Sequence, residues 1–181
     1  PNTIDYVTIA STGDAVSFGE ISSSVFNSFS NNLASSTRAI FGGGYTSSPS
    51  GNIIHYVTIA SLGNSIDFGD LSQVRRGLGA LSNSTRGVFA AGFYPGFPTS
   101  NIIDYITIAS IGNAQDFGDL LVSTASVAGT SSPTRGVMNI GNNSLNYITI
   151  ATTGNATDFG DLSNSLLSGD GAAISNGHGG L

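Results

Sequence analysis

Three acidic pairs, Asp67/Asp70, Asp116/Asp119 and Asp158/Asp161, are the groups in this sequence whose type and spacing first suggest chemistry. Carboxylates gathered at strand ends are material for a calcium site, which takes six to eight oxygens from carboxylates and carbonyls. Two per copy fall short of that number, and the matching residues near the start of the chain are Ser17 and Glu20. The acids are therefore read as strand-end residues, and no metal site is expected. A glycosidase would need two carboxylates flanking one bond, but nearly every acid here recurs with a repeat period that already explains it.

Arg38, Arg86 and Arg135 each follow a threonine. A guanidinium fork suits an anionic ligand, yet the simpler expectation is that each arginine pairs with an acid or a backbone carbonyl inside its own repeat. His55 stands where other copies have Asp5 and Asp104, and His178 falls where others have Thr-Arg, so the two histidines form no pair. Serine and threonine are abundant, but an activated nucleophile needs a base and an orienting acid beside it, and no motif of that kind stands out. Neither enzymatic activity nor a cofactor is expected.

Binding is expected where the copies differ, because repeated residues build a scaffold and insertions project from it. The stretch from Phe93 to Ser100 holds Phe93, Tyr94 and Phe97 among prolines; the matching loop opens on Tyr45, and in the last copy it shrinks to Asn142-Asn143-Ser144. Aromatic rings in a stiffened polar loop stack on sugar faces or anchor a protein partner. Tyr45, Phe93, Tyr94 and Phe97 are thus the candidate ligand-binding residues, and covering an open end of the domain is the competing role.

The elements that position these residues come from a repeat. The segment Ile4-Asp5-Tyr6-Val7-Thr8-Ile9-Ala10 returns at Ile54 to Ala60, Ile103 to Ala109 and Leu145 to Ala151, with Tyr6, Tyr56, Tyr105 and Tyr147 spaced 50, 49 and 42 residues apart. Phe18, Phe68, Phe117 and Phe159 each lie 12 residues beyond their tyrosine and precede Gly and an acid. Between them stand Gly13-Asp14, Gly63-Asn64, Gly112-Asn113 and Gly154-Asn155, pairs that supply positive φ and predict a tight hairpin turn. Thr-Arg ahead of an apolar run, with Leu78, Ala80 and Leu81 before one of them, predicts a second hairpin, hence about four short strands per period. The β-branched runs are apolar on both faces, as in sheets stacked face to face. Only Leu120 to Val127 has the makings of a helical turn.

The chain has 181 residues, 39% hydrophobic, enough for one repeat domain over 1–181 with a core. Only 9% are charged, lysine is absent, and the net charge of −6 argues against a phosphate-tracking groove and so against a nucleic-acid partner. Without cysteine there is neither a disulfide framework nor a thiolate metal site. No apolar run approaches the roughly 20 residues that span a bilayer, so membrane insertion is not expected, and no leader is seen. The start on Pro1 points to processing or excision from something longer.

The stretch Arg76-Gly77-Leu78-Gly79-Ala80 to Phe89-Ala90-Ala91-Gly92, then Asn101 to Tyr105 and Phe117-Gly118-Asp119-Leu120, resembles kelch repeats, in order and spacing, over nearly the whole chain. It departs in carrying Phe where such blades usually carry Trp. The resemblance implies an all-β propeller of about four blades of four antiparallel strands. The N-terminal strands and the segment from Ala172 to Leu181 would complete one blade, a β-solenoid or part of a larger propeller being the alternative. The wording Asp-Tyr-Val-Thr-Ile-Ala and Asp-Phe-Gly-Asp-Leu also resembles kelch-like repeat proteins among the structural proteins of marine bacteriophages, notably cyanophages. That implies a non-enzymatic structural or adhesive component of a virion surface, on a fibre, tail or capsid. Its partners would be other virion or extracellular proteins, itself, or surface glycans. The alternative is a secreted bacterial lectin-like or fibre-forming matrix protein.

Overall fold

The computed structural model describes residues 2–22, 32–44, 51–96 and 98–166. Within them the regular elements are all strands, fourteen in four antiparallel sheets. The first sheet pairs β1 (Thr3–Tyr6) with β2 (Val16–Glu20). The second holds β3 (Asn32–Ala34), β4 (Arg38–Gly42), β5 (Ile53–Thr58) and β6 (Ile66–Asp70). The third holds β7 (Gly79–Ser82), β8 (Arg86–Ala90), β9 (Ser100–Thr107) and β10 (Gln115–Thr124), and the fourth β11 (Ala128–Ser131), β12 (Arg135–Asn139), β13 (Asn142–Thr149) and β14 (Thr157–Leu166). Each four-stranded sheet is a meander in chain order, so one period yields one sheet, and the expected count of strands holds in all three.

The hairpin β3–β4 and its equivalents owe their turn to the residue three before the arginine. Asn83 Oδ1 accepts from the backbone N–H of Thr85 at 3.0 Å and of Arg86 at 2.8 Å, and Ser132 Oγ accepts from Arg135 N–H at 3.1 Å. These short side chains mimic a backbone turn, which is why Ser or Asn stands there and why Thr-Arg opens each second strand. The register of the third and fourth strands is interrupted by a bulge that falls on Phe68 or Phe117 in the second and third sheets. That bulge sets each phenylalanine edge-on to its tyrosine, with centroids 5.8 to 6.1 Å apart in all four copies. The invariant 12-residue spacing is the length that this pairing requires.

Successive sheets pack face to face. One core lies between the second and third sheets (Leu33, Ile40, Ile54, Phe68, Phe89 and Ile106 among them) and another between the third and fourth (Val88, Ile103, Phe117, Met138 and Ile148). Strand β8 shows how: Val88 points to one core and its neighbour Phe89 to the other, both fully buried, as the two-residue period of a strand demands. The sheets are also tied at their first strands, where Ser82 Oγ donates to Ala34 O at 2.8 Å and Ser131 Oγ to Ser82 O at 2.7 Å.

Two expectations change. Leu120 to Val127 makes no helical turn: β10 runs through Thr124, which pairs with Ser100. The Gly-Asn pairs do not form the tight turn, which falls earlier, where Ser61 N–H donates to Thr58 O at 3.1 Å. The segment from Ala172 to Leu181, expected to complete a blade with β1, lies outside the described residues.

Candidate functional site

The repeated chemistry converges on the junctions between sheets. At each one the Gly-Asn segment of a sheet reaches the Phe-Gly-acid strand of the sheet before it. Gly112 N–H donates to Phe68 O and Ala114 N–H to Asp70 O, both at 2.8 Å, while Asp70 N–H donates to Asn113 Oδ1 at 3.1 Å. The same three bonds join Gly63, Asn64 and Ser65 to Phe18 and Glu20, and Gly154, Asn155 and Ala156 to Phe117 and Asp119. At about 1 kcal/mol net for each bond, one clamp contributes about 3 kcal/mol. Asn is required because its carbonyl oxygen accepts from the strand. The glycine facing it is required because a Cβ at Gly118 would sit 2.5 Å from Gly154 O, at a φ of +141° that side chains rarely adopt.

Two of the three repeated arginines, Arg38 and Arg86, act at junctions between sheets. Each of the three lies over its own sheet's tyrosine, with Arg38, Arg86 and Arg135 at 4.5, 4.3 and 4.5 Å from the rings of Tyr56, Tyr105 and Tyr147. Arg38 Nη1 also donates to Ile108 O at 2.6 Å and Arg86 Nη1 to Ile150 O at 2.8 Å, in each case in the following sheet. The expectation of a carbonyl partner inside the repeat is thus corrected: the carbonyl belongs to the next repeat. Arg38 and Arg86 thus hold neighbouring sheets together, with no anionic ligand needed to explain them.

One junction carries a group that the repeat pattern missed. Arg75 and Asp104, both with fully buried side chains, form an ion pair at 2.5 Å between the second and third sheets. Arg75 Nη1 donates to Ala91 O and Ile102 O, and Ser72 donates to the same carboxylate oxygen from both its hydroxyl and its N–H. Burial pulls the Arg75 pKa down while Asp104 pulls it up; the guanidinium remains charged. At the next junction Thr124 and Asn146 occupy the matching places, and Asn146 Oδ1 accepts from Leu121 N–H at 3.2 Å. The signal available in the sequence was this joint exchange: arginine stands beside the repeat's aspartate in one copy and threonine beside asparagine in another.

His55 occupies the same strand position as Asp104 and is buried. Burial depresses its pKa below the usual 6.5, outweighing the upward pull of Asp67 and of a hydrogen bond with the Ile66 backbone. A histidine held neutral in the fold contributes stability that is full above its unfolded pKa and is lost as pH falls through the folded value. Stability in urea is therefore expected to drop as pH is lowered from 6.5, and His55→Asn, which copies Asn146, is expected to flatten that slope.

The aromatic loop is divided. Phe93 is half-buried, exchanges backbone hydrogen bonds with Arg76 at 3.1 and 2.7 Å, and lies 5.7 Å from its guanidinium, so it closes the loop around residues 75–77. Tyr94 is half-buried as well; its hydroxyl accepts from Ser100 Oγ at 3.1 Å, and its N–H donates to Pro98 O. Tyr45 and Phe97 lie outside the described residues. Among the described residues no three His, Asp or Glu side chains gather as metal ligands. No protein-family model matches the chain, and no curated protein matches it.

Proposed function

We infer that this chain is a non-enzymatic structural or adhesive module of a virion surface, built of kelch-like propeller blades and displayed on a phage fibre, tail or capsid. The observation that carries this reading is the use made of the repeat's polar residues. Arg38, Arg86 and the Gly-Asn pairs bind sheet to sheet, and Glu20, Asp70 and Asp119 supply backbone partners for the Gly-Asn clamps. Such a molecule is a stiff scaffold, which suits contact with a host-surface glycan or a neighbouring virion protein. The polar surface free of lysine supports the same reading.

The test is direct. Antibody to the chain should label particles purified from the source, and unlabelled particles would end the virion assignment. For recognition, the ring to remove is Tyr94, half-buried like Phe93. Tyr94→Ala is expected to weaken glycan binding about tenfold on an array, and Phe93→Ala to act mainly on loop stability. Equal binding by wild type and Tyr94→Ala would count against a sugar platform there. The alternative of a secreted lectin-like or fibre-forming matrix protein draws support from the exposed sheet faces at the two ends of the array.

A further inference from the structure

The series of junctions stops at both ends, and the two ends match. At the fourth sheet, Gly160 has the φ of +129° of its equivalents, but among the described residues nothing lies within 4 Å of the Cβ position, where Gly69 and Gly118 face Gly112 and Gly154. Phe159 is 48% exposed, against 2% for Phe68 and for Phe117. Arg135 stacks on Tyr147 as the other arginines do on their tyrosines, yet it is exposed and meets no carbonyl among the described residues, where Arg38 and Arg86 reach Ile108 and Ile150.

The first sheet presents the missing half. Ile9 holds the position of Ile108 and Ile150, which are 2% and 0% exposed, but is itself 99% exposed. Gly13-Asp14-Ala15 holds the position of Gly112-Asn113-Ala114 and Gly154-Asn155-Ala156, and Ala15 is exposed where Ala114 is half-buried and Ala156 buried. The groups that the fourth sheet lacks among the described residues are a carbonyl for Arg135 and a Gly-Asn-like segment for Phe159-Gly160-Asp161; the loop between β1 and β2 offers Ile9 O and Gly13-Asp14.

We propose that the chain assembles head to tail, the Ile9 to Ala15 loop of a second copy docking on Arg135 and Phe159-Gly160-Asp161 of the first. The bonds follow from the three internal junctions: Gly13 N–H to Phe159 O, Ala15 N–H to Asp161 O, Asp161 N–H to an Asp14 carboxylate oxygen, and Arg135 to Ile9 O. A second copy is the occupant because the chain's own loop is not at Gly160. The interface is heterologous, so it propagates into a filament or closes into a ring according to its rotation. Asp14 in place of asparagine puts a carboxylate against the strand bearing Asp161. This weakens the junction relative to the internal ones and makes assembly depend on concentration.

This inference rests on the reading of the chain as an assembling module, and its test uses purified protein without glycan or particles, so the two can fail separately. Cysteine is absent, so single thiols can be placed at Asp14→Cys and Asp161→Cys, both exposed and outside the cores. Mixed single-cysteine chains treated with a short bis-maleimide should give the mixed dimer, and the double variant a ladder of multimers. In sedimentation, Asp14→Asn should shift association to concentrations lower by up to about fivefold. A double variant that cross-links within one monomer would show self-closure and overturn the proposal. So would a wild type and an Asp14→Asn variant that both stay monomeric and uncross-linked at every concentration.

Discussion

Asp104→Leu is expected to cost about 3–5 kcal/mol, because it strands the fully buried Arg75 guanidinium without its counter-charge. Urea denaturation at neutral pH would show this as a lower midpoint with an unchanged slope. The Arg75–Asp104 pair has both side chains fully buried, and the guanidinium also holds two backbone carbonyls of the third sheet. Removing either partner therefore leaves several polar groups unsatisfied at once. The double change Arg75→Thr/Asp104→Asn installs the residues found at the next junction, Thr124 and Asn146, and should recover most of the loss. If the double variant were as unstable as the sum of its single changes, the pair would not be coupled and the assigned geometry would be wrong.

Gly118→Val is expected to cost about 3 kcal/mol or more, combining a backbone conformation that side chains rarely adopt with overpacking against the next sheet. The Cβ would strike Gly154 O and C, backbone atoms that cannot rotate away. Gly160→Val is the control, since its φ lies in the same region but nothing stands within 4 Å. It should carry the backbone cost alone, so the difference between the two variants measures the inter-sheet clamp. Equal losses in the monomer would mean that the clamp contributes nothing to stability.

The aromatic loop shows where reading residues one at a time misleads. Phe93, Tyr94 and Phe97 look alike in the sequence, as three rings near prolines. In the fold Phe93 is engaged by Arg76 and Tyr94 by Ser100 and Pro98, and the bridges of Phe93 to Arg76 and to Thr99 close the loop at its base. Ring count alone carries no information on which ring the backbone pairing consumes.

What the sequence by itself determined was the all-β class, the four-strand period and the fixed spacing of each tyrosine from the phenylalanine 12 residues later. These were legible because they depend on near neighbours: alternation in β-branched runs, turn residues before each arginine, and a bulge inside one hairpin. The tertiary structure decided what those same residues are for. Gly63-Asn64 reads as a hairpin turn by composition but clamps the preceding sheet, and Arg38 reaches Ile108, 70 residues away, rather than a group in its own copy. Arg75 and Asp104 pair across 29 residues at a junction that local pattern does not register. The physical reason is that periodicity within a strand specifies which face is apolar but not which sheet will cover it. Only the stacking of successive copies brings a turn, a strand and a carbonyl from different periods within hydrogen-bonding distance.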